Sequence, residues 1–251
     1  MKKTENNKNI SREKMDNKSE KNESNIVSSN TNEKEEKEKK QRKIEIIQET
    51  NDIPDLSFKV IIIGDSFVGK SSLINKAVKN EFETTYNATL GFEYFSFFVK
   101  FENTLLKLQI WDTCGQEKYQ SLISNFYRNS SLAMMVYAIN NKLSFKHIDY
   151  WLKEMRNLSN PDVKMFLIGN KSDLENEREV SSEEAEKYAK EFEFSKFFET
   201  SAKSGFNTQE LFLEAAKILY KDYLHYKPFS QDLSSVEKLN NKHNKKNNIC
   251  C

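Results

Sequence analysis

The chain has 251 residues, with 39 Lys+Arg against 38 Asp+Glu and a net charge of +1. That balance excludes a protein that coats nucleic acid by bulk charge, so no nucleic-acid partner is expected. Three cysteines exclude a disulfide scaffold and fit a reducing, cytosolic setting. No run of 18 apolar residues predicts a spanning helix. The N-terminus lacks the apolar stretch of a signal peptide, and Lys2 excludes N-myristoylation. Hydrophobic residues are only 37% and charged residues 31%. Every aromatic residue nevertheless falls between Phe58 and Phe229. The tails therefore dilute a central block rich enough to bury a core.

Residues 1–56 are Lys, Glu, Asn and Ser without an aromatic, and read as a disordered extension. Within it, 33–50 has a helix-favouring composition and reads at most as a transient helix. The folded block is expected over 57–226. FKVIIIG (58–64) is a continuous apolar run ending in Gly, which predicts a buried parallel strand. A helical pattern follows at 70–80. FEYFSFFVKF (92–101) and LLKLQIWD (105–112), separated by a short Asn-containing turn, predict a hairpin. LAMMVYAI (132–139), VKMFLIG (163–169) and KFFET (196–200) predict three further strands. Helical patterns lie at 144–157, 181–191 and 207–222. Strands alternating with helices predict an α/β fold: a six-stranded, mostly parallel sheet with helices on both faces. Ligands then bind at the carboxyl ends of the strands. Residues 227–251 read as a flexible polar tail carrying five Lys and two acids and ending Cys250-Cys251.

GDSFVGKSS (64–72) matches G-x-x-x-x-G-K-[ST] at the end of a strand and the start of a helix, as a phosphate loop must. The loop residues Ser66, Phe67, Val68 and Gly69, with Lys70, Ser71 and Ser72 at the helix start, surround an anion held by backbone N–H groups. Lys70 can reach the β- and γ-phosphates, and the Ser71 hydroxyl can ligate Mg²⁺. NKSD (170–173) closes the strand beside this loop and supplies Asn170, Lys171 and Asp173. A carboxylate at Asp173 can accept from N1 and N2 of guanine, which adenine cannot offer. ETSAK (199–203) closes the next strand. It brings Ser201, Ala202 and Lys203 to the base, with the Ala202 N–H facing guanine O6. WDTCGQE (111–117) closes the third strand. Asp112 can hold Mg²⁺ through water, the Gly115 N–H can meet the γ-phosphate, and Gln116 can orient the attacking water. Upstream, Thr89 in YNAT (86–89) offers a second hydroxyl to Mg²⁺. An ATP-using kinase with the same phosphate loop is disfavoured by the two base motifs.

These motifs, in this order over roughly 57–223, resemble the Ras superfamily of small GTPases and within it the Rab family. YNATLGFEYFS and SAKSGFNTQELF resemble the Golgi-associated Rab subgroup, and LQIWDTCGQEKY, FYR (126–128) and the terminal Cys-Cys fit a Rab. The resemblance implies a P-loop small G domain that binds GTP and GDP with Mg²⁺, hydrolyses GTP slowly, and switches vesicle or membrane traffic. It implies Phe82 stacking on guanine, Tyr86 over the phosphates, and Tyr94, Trp111 and Phe126 as an aromatic triad for effectors. Lys70 and Gln116 take the catalytic roles. The implied partners are an exchange factor, an activating protein, a dissociation inhibitor and effectors. Prenyl chains on Cys250 and Cys251 would hold the protein at the cytosolic face of a Golgi or vesicle membrane, with a cytosolic pool.

Three residues depart from that pattern. Phe67 occupies a loop position usually held by Gly or a small residue. It is costly if the backbone there needs φ > 0, and otherwise its ring simply points outward. Nucleotide binding is expected to survive and intrinsic hydrolysis to slow. The alternative is a hydrolysis-deficient, guanine-nucleotide-binding scaffold. Cys114 replaces the usual Ala, a small apolar change. Ala138 stands where relatives usually carry Asp, and nothing in the sequence explains it.

Overall fold

The computed structural model describes residues 44–84, 91–113 and 127–226. The chain divides into two compact units, 1–45 and 46–251. Of the first, only Ile44 and Glu45 fall among the described residues.

The elements run β1 (Ile44–Ile47), β2 (Leu56–Ile63), α1 (Lys70–Lys79), β3 (Phe92–Phe101), β4 (Thr104–Thr113) and β5 (Leu132–Ala138). They continue α2 (Lys142–Lys146), α3 (Ile148–Leu158), β6 (Lys164–Asn170), α4 (Ser182–Glu191), β7 (Lys196–Glu199) and α5 (Thr208–Tyr226). The strands form one sheet in the order β1-β3-β4-β2-β5-β6-β7. β2 pairs in parallel with β4 and β5, and β6 pairs in parallel with β5 and β7. β3 and β4 form the predicted antiparallel hairpin, Phe101 opposite Thr104.

The sheet has seven strands, not six. The added strand, β1, lies in the stretch that composition assigned to disorder; over 44–47 the chain is extended, while 33–43 of the expected transient helix lie outside the described residues. Its sequence is Ile-Glu-Ile-Ile, with Glu45 exposed and the isoleucines half-buried. An edge strand needs one neighbour and one apolar face, so four β-branched-rich residues suffice inside a polar context. The folded part therefore starts before residue 57.

β5 is buried at every position, as expected of a strand covered on both faces. One face of the sheet packs Ile61, Ile63, Met135, Tyr137 and Leu167 against Phe145 of α2, Ile148, Trp151, Leu152 and Met155 of α3, and Ala185 and Ala189 of α4. The other face carries α1 and α5. There Phe97 meets Phe212 at 5.5 Å between ring centroids, and Phe101 stacks on Tyr220 at 4.7 Å. The buried set on α3 recurs at i, i+3, i+4 and i+7, one helical stripe.

The sequence pattern predicts one helix over 144–157, but two short helices meet at His147. Asn141 caps the first through its side chain, which accepts from the Ser144 N–H. The His147 carbonyl then accepts from the N–H groups of Tyr150 and Trp151, starting the second.

Candidate nucleotide site

Five strand ends converge on one edge of the sheet, because β2, β4, β5, β6 and β7 all run the same way. The ends of β2 and β4 are tied where the Thr113 hydroxyl donates to the Ile62 carbonyl at 2.8 Å.

After β2 the chain turns through Gly64 (φ 142), Phe67 (φ 66) and Gly69 (φ 92). A side chain at position 64 would collide with the Val136 carbonyl oxygen, and one at 69 would come within 2.5 Å of the Asn170 amide nitrogen. Phe67 thus has the costly backbone, and its ring is also 65% exposed. Ser66 is half-buried and Val68 is buried in the turn. The N–H groups of Lys70, Ser71 and Ser72 belong to the first turn of α1, where no residue four earlier in the helix can accept from them. Lys70 is buried, and its ammonium donates to the carbonyls of Gly64 and Asp65, both at 2.8 Å. Its charge is therefore held at the mouth of the loop.

The Ser71 hydroxyl donates to a carboxylate oxygen of Asp112. Asp112 is fully buried at the end of β4, and its Oδ1 has no hydrogen-bond partner among the described residues. Burial pushes the Asp112 carboxyl up to about 6, although Ser71 and then Lys70 pull the other way. A buried carboxylate with an orphaned oxygen beside a hydroxyl is a fit for a hard cation. Two oxygen donors suit Mg²⁺, which keeps several waters and is completed by phosphate oxygens.

The base loops are tied to the phosphate loop through Asn170, which is buried. Its amide donates to the carbonyls of Val68 (2.9 Å) and Gly69 (3.3 Å). Its Oδ1 accepts from the Thr200 hydroxyl (3.2 Å) and the Ala202 N–H (3.3 Å). Lys171 takes a left-handed backbone (φ 66), and burial lowers the pKa of its ammonium. Asp173 is exposed and accepts from the Ser201 hydroxyl at 2.6 Å. Lys203 is exposed at the rim. Arg178, which sequence reasoning did not single out, braces this end. Its guanidinium donates to both oxygens of Glu199 (2.6 and 3.0 Å) and to Glu175 (2.7 and 2.9 Å). Phe82 is also exposed.

On the hairpin, Tyr94 meets Trp111 edge-on at 5.4 Å and is 44% exposed. Phe92, also missed from sequence, lies 5.6 Å from Trp111 and is 52% exposed. Lys59 and Lys107 sit over Trp111 and Tyr94 respectively. Register explains the set: Tyr94 pairs with Trp111, and Phe92 with Thr113 two residues on.

Tyr86, Thr89, Cys114, Gly115, Gln116, Phe126, Cys250 and Cys251 lie outside the described residues, as do 1–43 and 227–251. Every other expected site residue on the phosphate, metal and base motifs lies at this one edge, on a strand end, on the first turn of α1 or on the loops between.

A buried lysine where the turn after β2 enters α1, a buried aspartate at the end of β4 paired with a serine, and two loops locked by one asparagine meet at one edge of the sheet. The model of the Ras family matches residues 59–221, from β2 through most of α5. The chain belongs to the Ras family of small GTPases.

Proposed function

We propose that this small GTPase is a Rab-type switch regulating vesicle or Golgi membrane traffic from the cytosolic face of an endomembrane, with a cytosolic pool. One observation carries the reading: exposed Tyr94 packs on half-buried Trp111, an aromatic surface on the hairpin that enters the nucleotide site at Asp112. An effector seated there would read the strand whose end holds the cation. The segment YNATLGFEYFS, the FYR at 126–128 and the terminal Cys250-Cys251 support the same reading.

In this mechanism Asp173 selects guanine, and Lys70 stabilises charge that develops on the transferred phosphoryl group. Ser71, Asp112 and Thr89 would hold Mg²⁺, which when bound neutralises phosphate charge. Gln116 orients the attacking water. Thr89 and the Gly115 N–H hold their segments in one shape until the γ-phosphate leaves. No arginine occurs in 64–72 or 80–95. Intrinsic turnover is therefore slow, on the order of 10⁻⁴ to 10⁻² per second, and an activating protein completes the site. An exchange factor, a dissociation inhibitor and effectors of the Rab type are the other partners.

The test is to purify the full chain with Mg²⁺, denature it, and chromatograph the released nucleotide. About one equivalent of GDP is expected. An adenine nucleotide, or none from folded protein, would sink the switch. Stoichiometric GTP would favour the hydrolysis-deficient scaffold, a reading that the left-handed Phe67 keeps open. For the membrane anchor, mass spectrometry of the protein from its native cell should find two C20 isoprenoids on the last two residues. An unmodified C-terminus would withdraw it.

A further inference from the structure

We infer that Asp65, His147 and Trp151 form a positioning clamp that holds the phosphate loop against α3 and thereby sets how long the loop retains GDP. This rests on the loop being the nucleotide cradle.

Asp65 is the second residue of the loop and takes no part in the motif. Its Oδ1 accepts from Trp151 Nε1 at 2.9 Å, and its Oδ2 lies 2.6 Å from His147 Nδ1. Both partners are fixed posts. Trp151 is 5% exposed within the core of the helical face. His147 is held at the junction of α2 and α3, where its N–H donates to the Leu143 carbonyl and its C=O accepts from Tyr150 and Trp151. An Nδ1–H donor is available from the imidazolium and from one neutral tautomer.

The carbonyl of the same Asp65 accepts from Lys70 Nζ. A rotation of the Asp65 backbone would therefore break the carboxylate's two bonds and move an acceptor that aims the lysine. The loop between them has no ladder to stiffen it and turns through the left-handed Phe67 and Gly69. Asn170 ties its far end at Val68 and Gly69. The clamp ties its near end. With both ends fixed, the N–H groups of the turn are pre-organised for phosphate. With the near end loose, that order must be supplied again on each binding event.

The experiment is release of a fluorescent GDP analogue from the full-length protein in Mg²⁺, with the unfolding midpoint measured alongside. Asp65→Ala, His147→Ala and Trp151→Phe should each speed release, by about threefold to thirtyfold for a charge-assisted bond that is partly solvent-exposed. The decisive pair is His147→Asn and His147→Gln. The Asn amide nitrogen falls where Nδ1 lies and should restore slow release. The longer Gln should not. His147 is exposed, so neither change threatens folding. Release within twofold of the parent for both His147→Ala and Asp65→Ala would overturn the clamp, as would equal behaviour of Asn and Gln at 147. A parent that binds no GDP would overturn the nucleotide reading itself, and the clamp with it.

Discussion

The two ends of the nucleotide site are in different energetic condition. At the base end, the polar side chains of the two loop motifs are matched to one another within the protein. Asn170 is spent on four contacts, Ser201 holds Asp173, and Arg178 braces Glu199. At the phosphate end, Asp112 is a buried carboxylate with an oxygen unmatched among the described residues, and Phe67 holds a left-handed backbone. A site can be rigid where it must discriminate and unsatisfied where its ligand must bind. Discrimination needs donors and acceptors held still. Binding of a charged group is strongest where protein charge lacks compensation.

The largest effect should follow from disturbing the rigid end. Asp173→Asn replaces an acceptor for two guanine donors with a group that also donates, so one guanine donor meets another donor. Guanine nucleotide affinity should fall by about four orders of magnitude, in the range seen when a site built to hydrogen-bond its substrate meets the wrong partner. Titration with a fluorescent GDP analogue checks this. A loss below tenfold would mean that Asp173 does not read the base.

The unsatisfied end makes a pH-dependent prediction of intermediate size. The Asp112 carboxyl sits at about 6, against an ordinary value of 3.8. The native state therefore binds this proton more tightly than the unfolded chain. Its contribution to stability is full below about pH 4 and is lost as pH rises through about 6. Above that, in protein free of metal and nucleotide, the buried charge costs about 3 kcal/mol. Asp112→Asn should remove that cost. Without ligand it should be more stable than the parent at pH 7 and nearly equal at pH 4.5, by urea midpoint. With ligand the order should reverse, because the Asn variant has lost the carboxylate that Mg²⁺ requires. A parent–variant gap that does not widen between pH 4.5 and 7 would refute the assignment.

Legibility in the sequence followed the same division. The base loops and the phosphate loop were readable because each is a short run whose residue types are forced by what they contact: Gly69 by Asn170, Gly64 by Val136. The hairpin and the buried strands were readable from apolar runs and their turn. What escaped was contact between distant segments. Asp65 reads as filler inside its motif, and only the fold brings it to His147 and Trp151, more than eighty residues later. Arg178 likewise reads as a surface charge until β7 brings Glu199 to it. β1 escaped for another reason, since four apolar-rich residues vanish in the average of a polar tail. The helix break at His147 was hidden because the apolar pattern runs through it unchanged.

The smallest effect, and the one that decides between the two functional readings, belongs to Phe67. A non-glycine residue in the left-handed region costs about 1 to 2 kcal/mol. Phe67→Gly would relieve that cost but give the unfolded chain more freedom, worth about 0.4 to 1 kcal/mol in the opposite sense. The ring is mostly exposed, so little burial is lost. The two terms nearly cancel, and the unfolding free energy should change by less than about 1 kcal/mol. Hydrolysis is not bound by that cancellation, because it depends only on the native loop. If a bulky side chain beside the phosphates restrains the approach of water or of the segment bearing Gln116, the Gly variant should hydrolyse bound GTP several-fold faster in a single turnover. A variant equal to the parent in stability and faster in hydrolysis would make Phe67 a natural brake on a working switch. A variant equal in both would leave Phe67 a tolerated surface ring, and any slowness of the enzyme would then have to originate in the segments around Thr89 and Gln116.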